Sequence, residues 1–218
     1  MEHKEKELEK RIDFFVSHKA FKKIDECCEE LIRLNPKKGY LIKIETHIKL
    51  RDYKKALLTS NKILEHNERD KDGLFLKIDT LNYLLEELLR KPCLSENLLE
   101  YKREFLKISE FALTHYPKDT QIVSSIAEGY ELLGKDGVAI DLLERYLEKR
   151  PKDVHILYQL GLIYQRIGEF KKAIHYFDKS LEDIKEYSSL FQKSFTHLIS
   201  ESKEQLLKLL KESRADRK

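Results

Sequence analysis

The sequence predicts an all-α solenoid of about five helix–turn–helix repeats. One observation is a period of 34 residues, because Pro117-Lys118-Asp119 recurs as Pro151-Lys152-Asp153. A fixed period of this length is typical of arrays in which pairs of helices stack on one another. The other observation is composition: the 218 residues include only seven Gly and four Pro, while Leu, Lys, Glu and Ile dominate. This composition favours helices over strands and long loops.

The fifth repeat, residues 154–187, shows the pattern most clearly. Asp153 is expected to cap its first helix, because a short side-chain oxygen accepts hydrogen bonds from the amides of the first turn. Gly168 is expected to end that helix, since glycine takes the left-handed conformation at low cost. Apolar residues spaced three and four apart give each helix one buried stripe. The stripes are formed by Leu157, Leu160, Gly161 and Tyr164 in the first helix and by Phe170, Ala173, Ile174, Phe177 and Leu181 in the second.

The fourth repeat, residues 120–153, follows the same scheme and is closed by Pro151. Its Tyr130 and Gly134 stand one period before Tyr164 and Gly168. Its remaining stripe positions are Val123, Ile126, Ala127, Ala139, Leu143 and Leu147.

Three short motifs in the fifth repeat resemble the tetratricopeptide repeat family. They are Leu160-Gly161-x-x-Tyr164, Gly168-Glu169-Phe170 and Ala173-x-x-x-Phe177, with a Pro151-type boundary. The resemblance is most specific over residues 120–187, and it implies a right-handed α-α superhelix. The small residues Gly161 and Ala173 are expected to let the two helices approach closely, while Tyr164 and Phe177 fill the space around that contact.

The first two repeats match less closely. The second, residues 37–70, repeats the turn and second-helix signature at residues 52–56, Asp-Tyr-Lys-Lys-Ala. Ile44 and His47 replace its small residue and its Tyr, so its first helix is expected to pack at a different distance. The first, residues 5–36, is the weakest match, which is common for a terminal repeat.

The third repeat, residues 71–119, carries an insertion, because the spacing between the second and fourth repeats exceeds two periods by 15 residues. We place the insertion near residues 88–103. Pro92 is expected to end one helix, and Ser95 is expected to cap the next. The repeat then consists of two long helices, near residues 72–90 and 96–115.

The repeat pattern stops after Tyr187. Residues 188–212 have amphipathic spacing and are predicted to form a capping helix, bent near residues 200–202. Residues 213–218 are polar and are predicted to be a disordered tail. The apolar positions of the capping helix are Phe191, Phe195, Leu198, Ile199, Leu206, Leu207 and Leu210.

The charge of the chain is nearly balanced. Its 42 basic and 39 acidic residues leave a net charge of +3, which disfavours nucleic-acid binding through a strong basic field. The first residues are charged, and no stretch of 18 apolar residues exists, so no membrane span is expected.

The three cysteines are Cys27, Cys28 and Cys93. Neighbours on a helix point about 100° apart, so a disulfide between the first two is not expected. An odd number of cysteines without a signal peptide suggests a reducing compartment, and we expect a soluble, cytoplasmic protein. One of the two neighbours is expected to fill an inner face while the other is partly exposed. The alternative is a reactive thiol near Lys22 and Lys23.

The sequence contains no recognisable catalytic constellation. None of the seven Gly forms a phosphate-binding loop, and no His stands at metal-ligand spacing from another His or from Cys. We therefore expect no catalytic residues, no metal site and no cofactor, and we do not expect an enzyme.

Tetratricopeptide geometry implies that the first helix of each repeat lines the concave groove. The side chains with which known members clamp a terminal carboxylate are missing from the two clear repeats, residues 120–187, and the implied lining combines apolar residues with acids. This favours a segment with apolar anchors and basic residues. The alternative is that Leu41, Phe75 and Leu162 pack against the next repeat or the capping helix. The implied groove residues are Leu41, Glu45, Ile48, Phe75, Asp79, Asn82, Ser124, Glu128, Glu131, Tyr158, Leu162 and Gln165.

The leading functional hypothesis is a non-catalytic scaffold or adaptor that binds a peptide segment of a partner protein. Two alternatives stay open: an RNA-binding helical repeat and a regulatory module of an enzyme complex. The oligomeric state and the identity of the partner do not follow from the sequence.

Overall fold

The computed structural model describes residues 2–90, 96–186 and 189–215. Within those ranges the chain forms eleven α-helices and one short 3-10 helix, and no strand. Contacts divide the chain into two compact lobes, Met1–Pro117 and Lys118–Lys218. The predicted all-α class is confirmed.

The first lobe contains three antiparallel helix pairs, and each helix packs against the next along the chain. Its two longest helices lie where the third repeat is predicted to have them. The predictions for Pro92 and Ser95 concern residues outside the described ranges. The helices are α1 (Glu2–Ser17), α2 (Phe21–Leu34), α3 (Pro36–Lys49), α4 (Tyr53–His66), α5 (Lys71–Leu89) and α6 (Glu96–His115).

The second lobe contains two helix pairs and a long terminal helix that packs against the second pair. That terminal helix continues through Ala215, so residues 213–215 are helical where a disordered tail is predicted. Residues 216–218, and the side chains of Phe191 and Leu210, lie outside the described part. The helices are α7 (Thr120–Leu132), α8 (Asp136–Leu147), α9 (Val154–Arg166), α10 (Phe170–Asp183), a 3-10 turn (Ile184–Glu186) and α11 (Ser189–Ala215).

Short polar side chains cap the first helix of most pairs. The Asp153 carboxylate accepts a hydrogen bond from the Ile156 amide, as predicted. Such a cap satisfies an amide that has no partner within the helix. Equivalent caps are made by Asn35 for α3, Asp70 for α5 and Asp119 for α7.

Gly161 is the point of closest approach between α9 and α10. A Cβ atom at this position would lie 2.3 Å from Cε1 of Phe177, whose ring is fully buried. Ala173 is also fully buried, and Tyr164 is 6% exposed. The predicted close contact between the helices of this repeat is confirmed.

The turn between the helices of a pair uses a left-handed residue two positions before the second helix. Gly134 and Gly168 occupy this position in the second lobe, with φ of +68° and +82°. In the first lobe the position is held by Lys19 and Arg51, with φ of +51° and +58°. A residue with a Cβ atom is strained in this conformation, so the first-lobe turns store conformational energy.

Replacing Arg51 with glycine is therefore expected to stabilise the protein, by about 0.5–1 kcal/mol. Urea unfolding followed by circular dichroism measures the change. The matched control is Gly134→Ala, which should destabilise by a similar amount; no neighbouring atom lies within 4 Å of its new Cβ, so the effect is purely conformational. An unchanged midpoint for Arg51→Gly would contradict the assigned turn strain.

Both adjacent cysteines are buried, which corrects the expectation that one is partly exposed. Cys27 is 2% exposed and Cys28 is 0% exposed. They pack with Leu8, Ile12 and Ile24 in the core between α1 and α2, because this helix buries a wide apolar face. Burial raises the pKa of Cys28 to about 12 and also raises the pKa of Cys27. Neither thiol is therefore activated as a nucleophile.

Candidate functional site

The implied groove residues of the first lobe lie on α3 and α5. Leu41, Ile48 and Phe75 are partly buried and pack against the core cluster around Ile44. This is the packing role that the sequence leaves open for Leu41 and Phe75. Glu45 is exposed on the same helix as Ile44.

Two polar residues of α5 lie deeper than a groove lining requires. Asn82 is only 3% exposed, because α5 contacts α3, α4 and α6 and has little free surface. Asp79, one turn before it, is partly buried, and burial raises the pKa of its carboxyl to about 6. Asp79 is therefore ionised at neutral pH at an energetic cost.

Asp79→Asn is expected to stabilise the protein on the order of 2 kcal/mol at pH 8 and to have little effect near pH 3.5. The folded state holds the Asp79 proton more tightly than the unfolded state, whose ordinary pKa is 3.8. The free energy of unfolding therefore falls as pH rises from about 4 to about 6. Urea unfolding across this range, with both proteins in parallel, measures the effect. An equal stability difference at both pH values would show that Asp79 is not responsible.

In the second lobe, Gln159 joins α7 to α9 through a hydrogen-bond network. The Ser124 hydroxyl donates to Gln159 Oε1 at 2.8 Å, and Gln159 Nε2 donates to the Ser124 carbonyl at 3.1 Å. Gln159 Nε2 also donates to Glu131 Oε1 at 3.3 Å. The predicted lining residues Ser124 and Glu131 are thus brought together by a residue that the sequence pattern does not single out.

Arg166 is the second residue of this face that the sequence pattern does not single out. Its guanidinium lies 2.8 Å from Glu131 and 2.6 Å from Asp136. Burial raises the pKa of Glu131, and the charge of Arg166 opposes that shift. A signal is present in the sequence: Gln159 and Arg166 are seven residues apart, two helical turns on one face of α9.

Tyr158 is partly buried and contacts the terminal helix α11. Its ring packs edge-on against Phe195 of α11 with centroids 5.3 Å apart. Its hydroxyl lies 3.3 Å from the Ser202 hydroxyl. The reason is that the amphipathic face of α11 needs an apolar partner, and α9 and α10 supply it.

The open part of this face consists of Glu128, Leu162 and Gln165. Leu162 is 39% exposed, and Glu128 is exposed. Among the described residues, Gln165 Oε1 is a buried acceptor without a hydrogen-bond donor. The exposed Leu162 can contact an apolar residue of a partner, and the exposed Glu128 carboxylate can accept hydrogen bonds from its amides or cations.

Two further properties concern the whole described part of the chain. Nowhere within it do three His, Cys, Asp or Glu side chains come together as a possible metal site. None of its helices is both long and apolar enough to span a bilayer.

Comparison with known proteins agrees with the helix pairs and their packing. Residues 154–186 match the tetratricopeptide repeat family. Over 166 residues the chain is 28% identical to a TPR repeat-containing protein of Methanocaldococcus jannaschii; the match covers 76% of this chain and 26% of that relative. The chain thus spans about a quarter of the relative's length.

Solved structures show the same fold. A thermophilic TPR protein of Thermus thermophilus is similar with a TM-score of 0.66 and 16% identity, covering 91% of this chain and 98% of that one. A tetratricopeptide repeat protein of Parabacteroides merdae gives a TM-score of 0.58 and 18% identity, over 92% and 70% of the two chains. Residues 154–186 thus match one tetratricopeptide repeat, and the chain resembles tetratricopeptide repeat proteins in sequence and shares their fold.

Proposed function

We propose that the chain is a protein-interaction scaffold that binds a segment of a partner on the faces of its first helices. A tetratricopeptide array is in general a framework for interactions between proteins. We further propose that each helix pair is one repeat, followed by the capping helix. The proposed boundaries are 5–36, 37–70, 71–119, 120–153 and 154–187.

The observation that carries the proposal is the open face of α7 and α9. The contacts of Ser124 with Gln159 and of Glu131 with Arg166 put the two helices in parallel register. Glu128 lies one turn after Ser124 on α7. In this register Ile163 of α9 lies opposite Glu128, and Leu162 precedes Ile163. An exposed apolar residue therefore stands beside a carboxylate on a surface held rigid by hydrogen bonds.

The charge of this face favours a basic segment. Arg166 pairs with the carboxylates of Glu131 and Asp136, and the Glu128 carboxylate is exposed on the same face. A partner with one apolar anchor and a Lys or Arg beside it would complement this surface. The near balance of basic and acidic residues in the chain gives less support to an RNA-binding role.

The test is affinity capture from cell lysate, identification of the bound protein, and titration with its binding segment. Leu162→Ala and Glu128→Lys are each expected to weaken binding about tenfold, equivalent to about 1.4 kcal/mol. Leu58→Ala is the matched control, because Leu58 is an exposed leucine of the other lobe. Circular dichroism should be unchanged for all three variants, because the residues are exposed.

Binding that survives both substitutions on α7 and α9 would refute the proposed face. Loss of binding on nuclease treatment would instead support the RNA alternative. Tyr158→Ala is unsuitable here, because it would disturb the contact with α11.

A further inference from the structure

The first-lobe turns have Lys19 and Arg51 at the positions where the second-lobe turns have glycine. Both cations are exposed and lie in the left-handed conformation. Glycine would fit these turns with less strain. Strain of this kind is found where a side chain has a function, so the two charges themselves need an explanation.

Both turns lie at the same end of the first two helix pairs. Only Asn35 separates α2 from α3, and these helices pack along each other, so α1 and α3 run in the same direction. The ion pairs of Lys38 with Glu5 and Glu9 join the starts of α3 and α1, in agreement with that direction. The turns at the other ends of α1 and α3 therefore lie on the same side of the two helix pairs.

Each turn is followed by an aromatic residue and two lysines. We call Lys19, Lys22, Lys23, Arg51 and Lys54 the basic edge; all five are exposed. Phe21, within this edge, is 54% exposed. The nearby carboxylate of Asp52 is engaged by the amide and the ammonium of Lys55. The edge thus combines positive charge with exposed apolar surface.

A cleft of about 430 Å³ opens beside the basic edge. Arg51 and Lys54 are part of its lining, and Leu84, Leu88 and Tyr101 contribute apolar surface; Asp52, Tyr53, Glu87 and Asn97 complete the lining. Tyr53 is held by stacking on Tyr83, with ring centroids 5.1 Å apart. A cleft of this size accommodates one large apolar side chain.

We propose that the basic edge and its cleft bind an acidic segment of a partner protein. Carboxylates of the segment pair with Lys19, Arg51 and Lys54, and one apolar side chain enters the cleft between Leu84 and Leu88. A protein segment fits better than a bilayer, because a flat surface cannot fill a cleft. Arg51 and Lys54 would attract phosphates as well, but the aliphatic side chains of Leu84 and Leu88 favour an apolar side chain over a base, which stacks on aromatic rings.

The test uses the full chain and a short synthetic peptide of Asp and Glu around one central Leu, with fluorescence anisotropy as the readout. The wild type is expected to bind, more weakly at higher salt. The double variant Lys19→Gly/Arg51→Gly is expected to bind at least about tenfold more weakly while its unfolding midpoint stays equal or rises. Lys118→Ala/Lys149→Ala removes the same charge from exposed positions of the second lobe and should leave binding within about twofold.

Several results would overturn the proposal. The first is absence of binding to the wild type, and the second is equal weakening in the two double variants. The third is unchanged affinity for a peptide whose central Leu is replaced by Gly. Tighter binding to phosphatidylserine vesicles or to polyuridylate than to the peptide would assign the edge to a membrane or to RNA. The Leu162→Ala variant should bind this peptide normally, which separates the edge from the face of α7 and α9.

Discussion

Replacing Phe177 with alanine is expected to lower the free energy of unfolding by about 3–5 kcal/mol. The ring is fully buried, lies against Gly161 of α9 and packs near Tyr158, with ring centroids 5.7 Å apart. Its removal leaves a cavity at the contact between the two helices of the clearest repeat. Urea unfolding monitored by circular dichroism measures the loss. A cost below about 1 kcal/mol would mean that this contact contributes little to the second lobe.

The same contact predicts that Gly161→Ala destabilises the wild type but stabilises the Phe177→Ala variant. In the wild type the new methyl group would meet the Phe177 ring at 2.3–3.1 Å, and overpacking should cost roughly 1–2 kcal/mol after the gain in helix propensity. In the Phe177→Ala background the clash is gone, so the substitution should stabilise by up to about 1 kcal/mol. A double-mutant cycle measures this coupling, and the same sign in both backgrounds would refute the assigned packing.

Asp153→Ala is expected to cost about 2–4 kcal/mol, because one side chain joins two repeats. Its Oδ1 caps α9 at Ile156, and its Oδ2 accepts hydrogen bonds from the Thr120 and Tyr146 hydroxyls, both at 2.8 Å. Loss of the cap costs about 1 kcal/mol. The Thr120 and Tyr146 hydroxyls would also lose their charged acceptor, which lowers the free energy of unfolding by about 1–3 kcal/mol more.

Asn35→Ala is the matched control for Asp153→Ala. Asn35 caps α3 through the Lys38 amide, so its removal should cost only about 1 kcal/mol. Urea unfolding of the two variants under one set of conditions compares them. Equal costs would show that the hydrogen bonds of Asp153 to Thr120 and Tyr146 add no stability.

The sequence is sufficient to predict contacts within a repeat. The apolar spacing of α9 and α10 follows helical geometry, so the spacing alone assigns Gly161, Ala173 and Phe177 to one interface. The cap at Asp153 and the left-handed Gly168 depend only on local chemistry. These features are decided by residues a few positions apart, which is why the sequence pattern is enough.

Contacts between helices of different repeats cannot be predicted in the same way. Gln159 and Arg166 meet α7 because of the register between α7 and α9, and a repeat period does not determine side-chain reach. The contact of Tyr158 with α11 could not be predicted, because a repeat period does not determine where an irregular terminal helix packs. Asn82 lies deeper than predicted because α5 is longer than the regular helices and is surrounded by three neighbours. The left-handed turns at Lys19 and Arg51 could not be predicted, because the repeat pattern identifies such turns by glycine.

The two buried cysteines provide a built-in measure of local motion. A thiol-specific reagent can reach Cys27 or Cys28 only when the core around α2 opens, and burial, which raises the pKa of both thiols, slows reaction in the closed state. The labelling rate of Cys27 and Cys28 in the native protein, compared with their rate in the unfolded chain and measured with Cys93 replaced by Ser, therefore gives the free energy of opening the core around α2. The first lobe thus carries its own reporter of whether its terminal pair opens alone or only when the rest of the lobe unfolds.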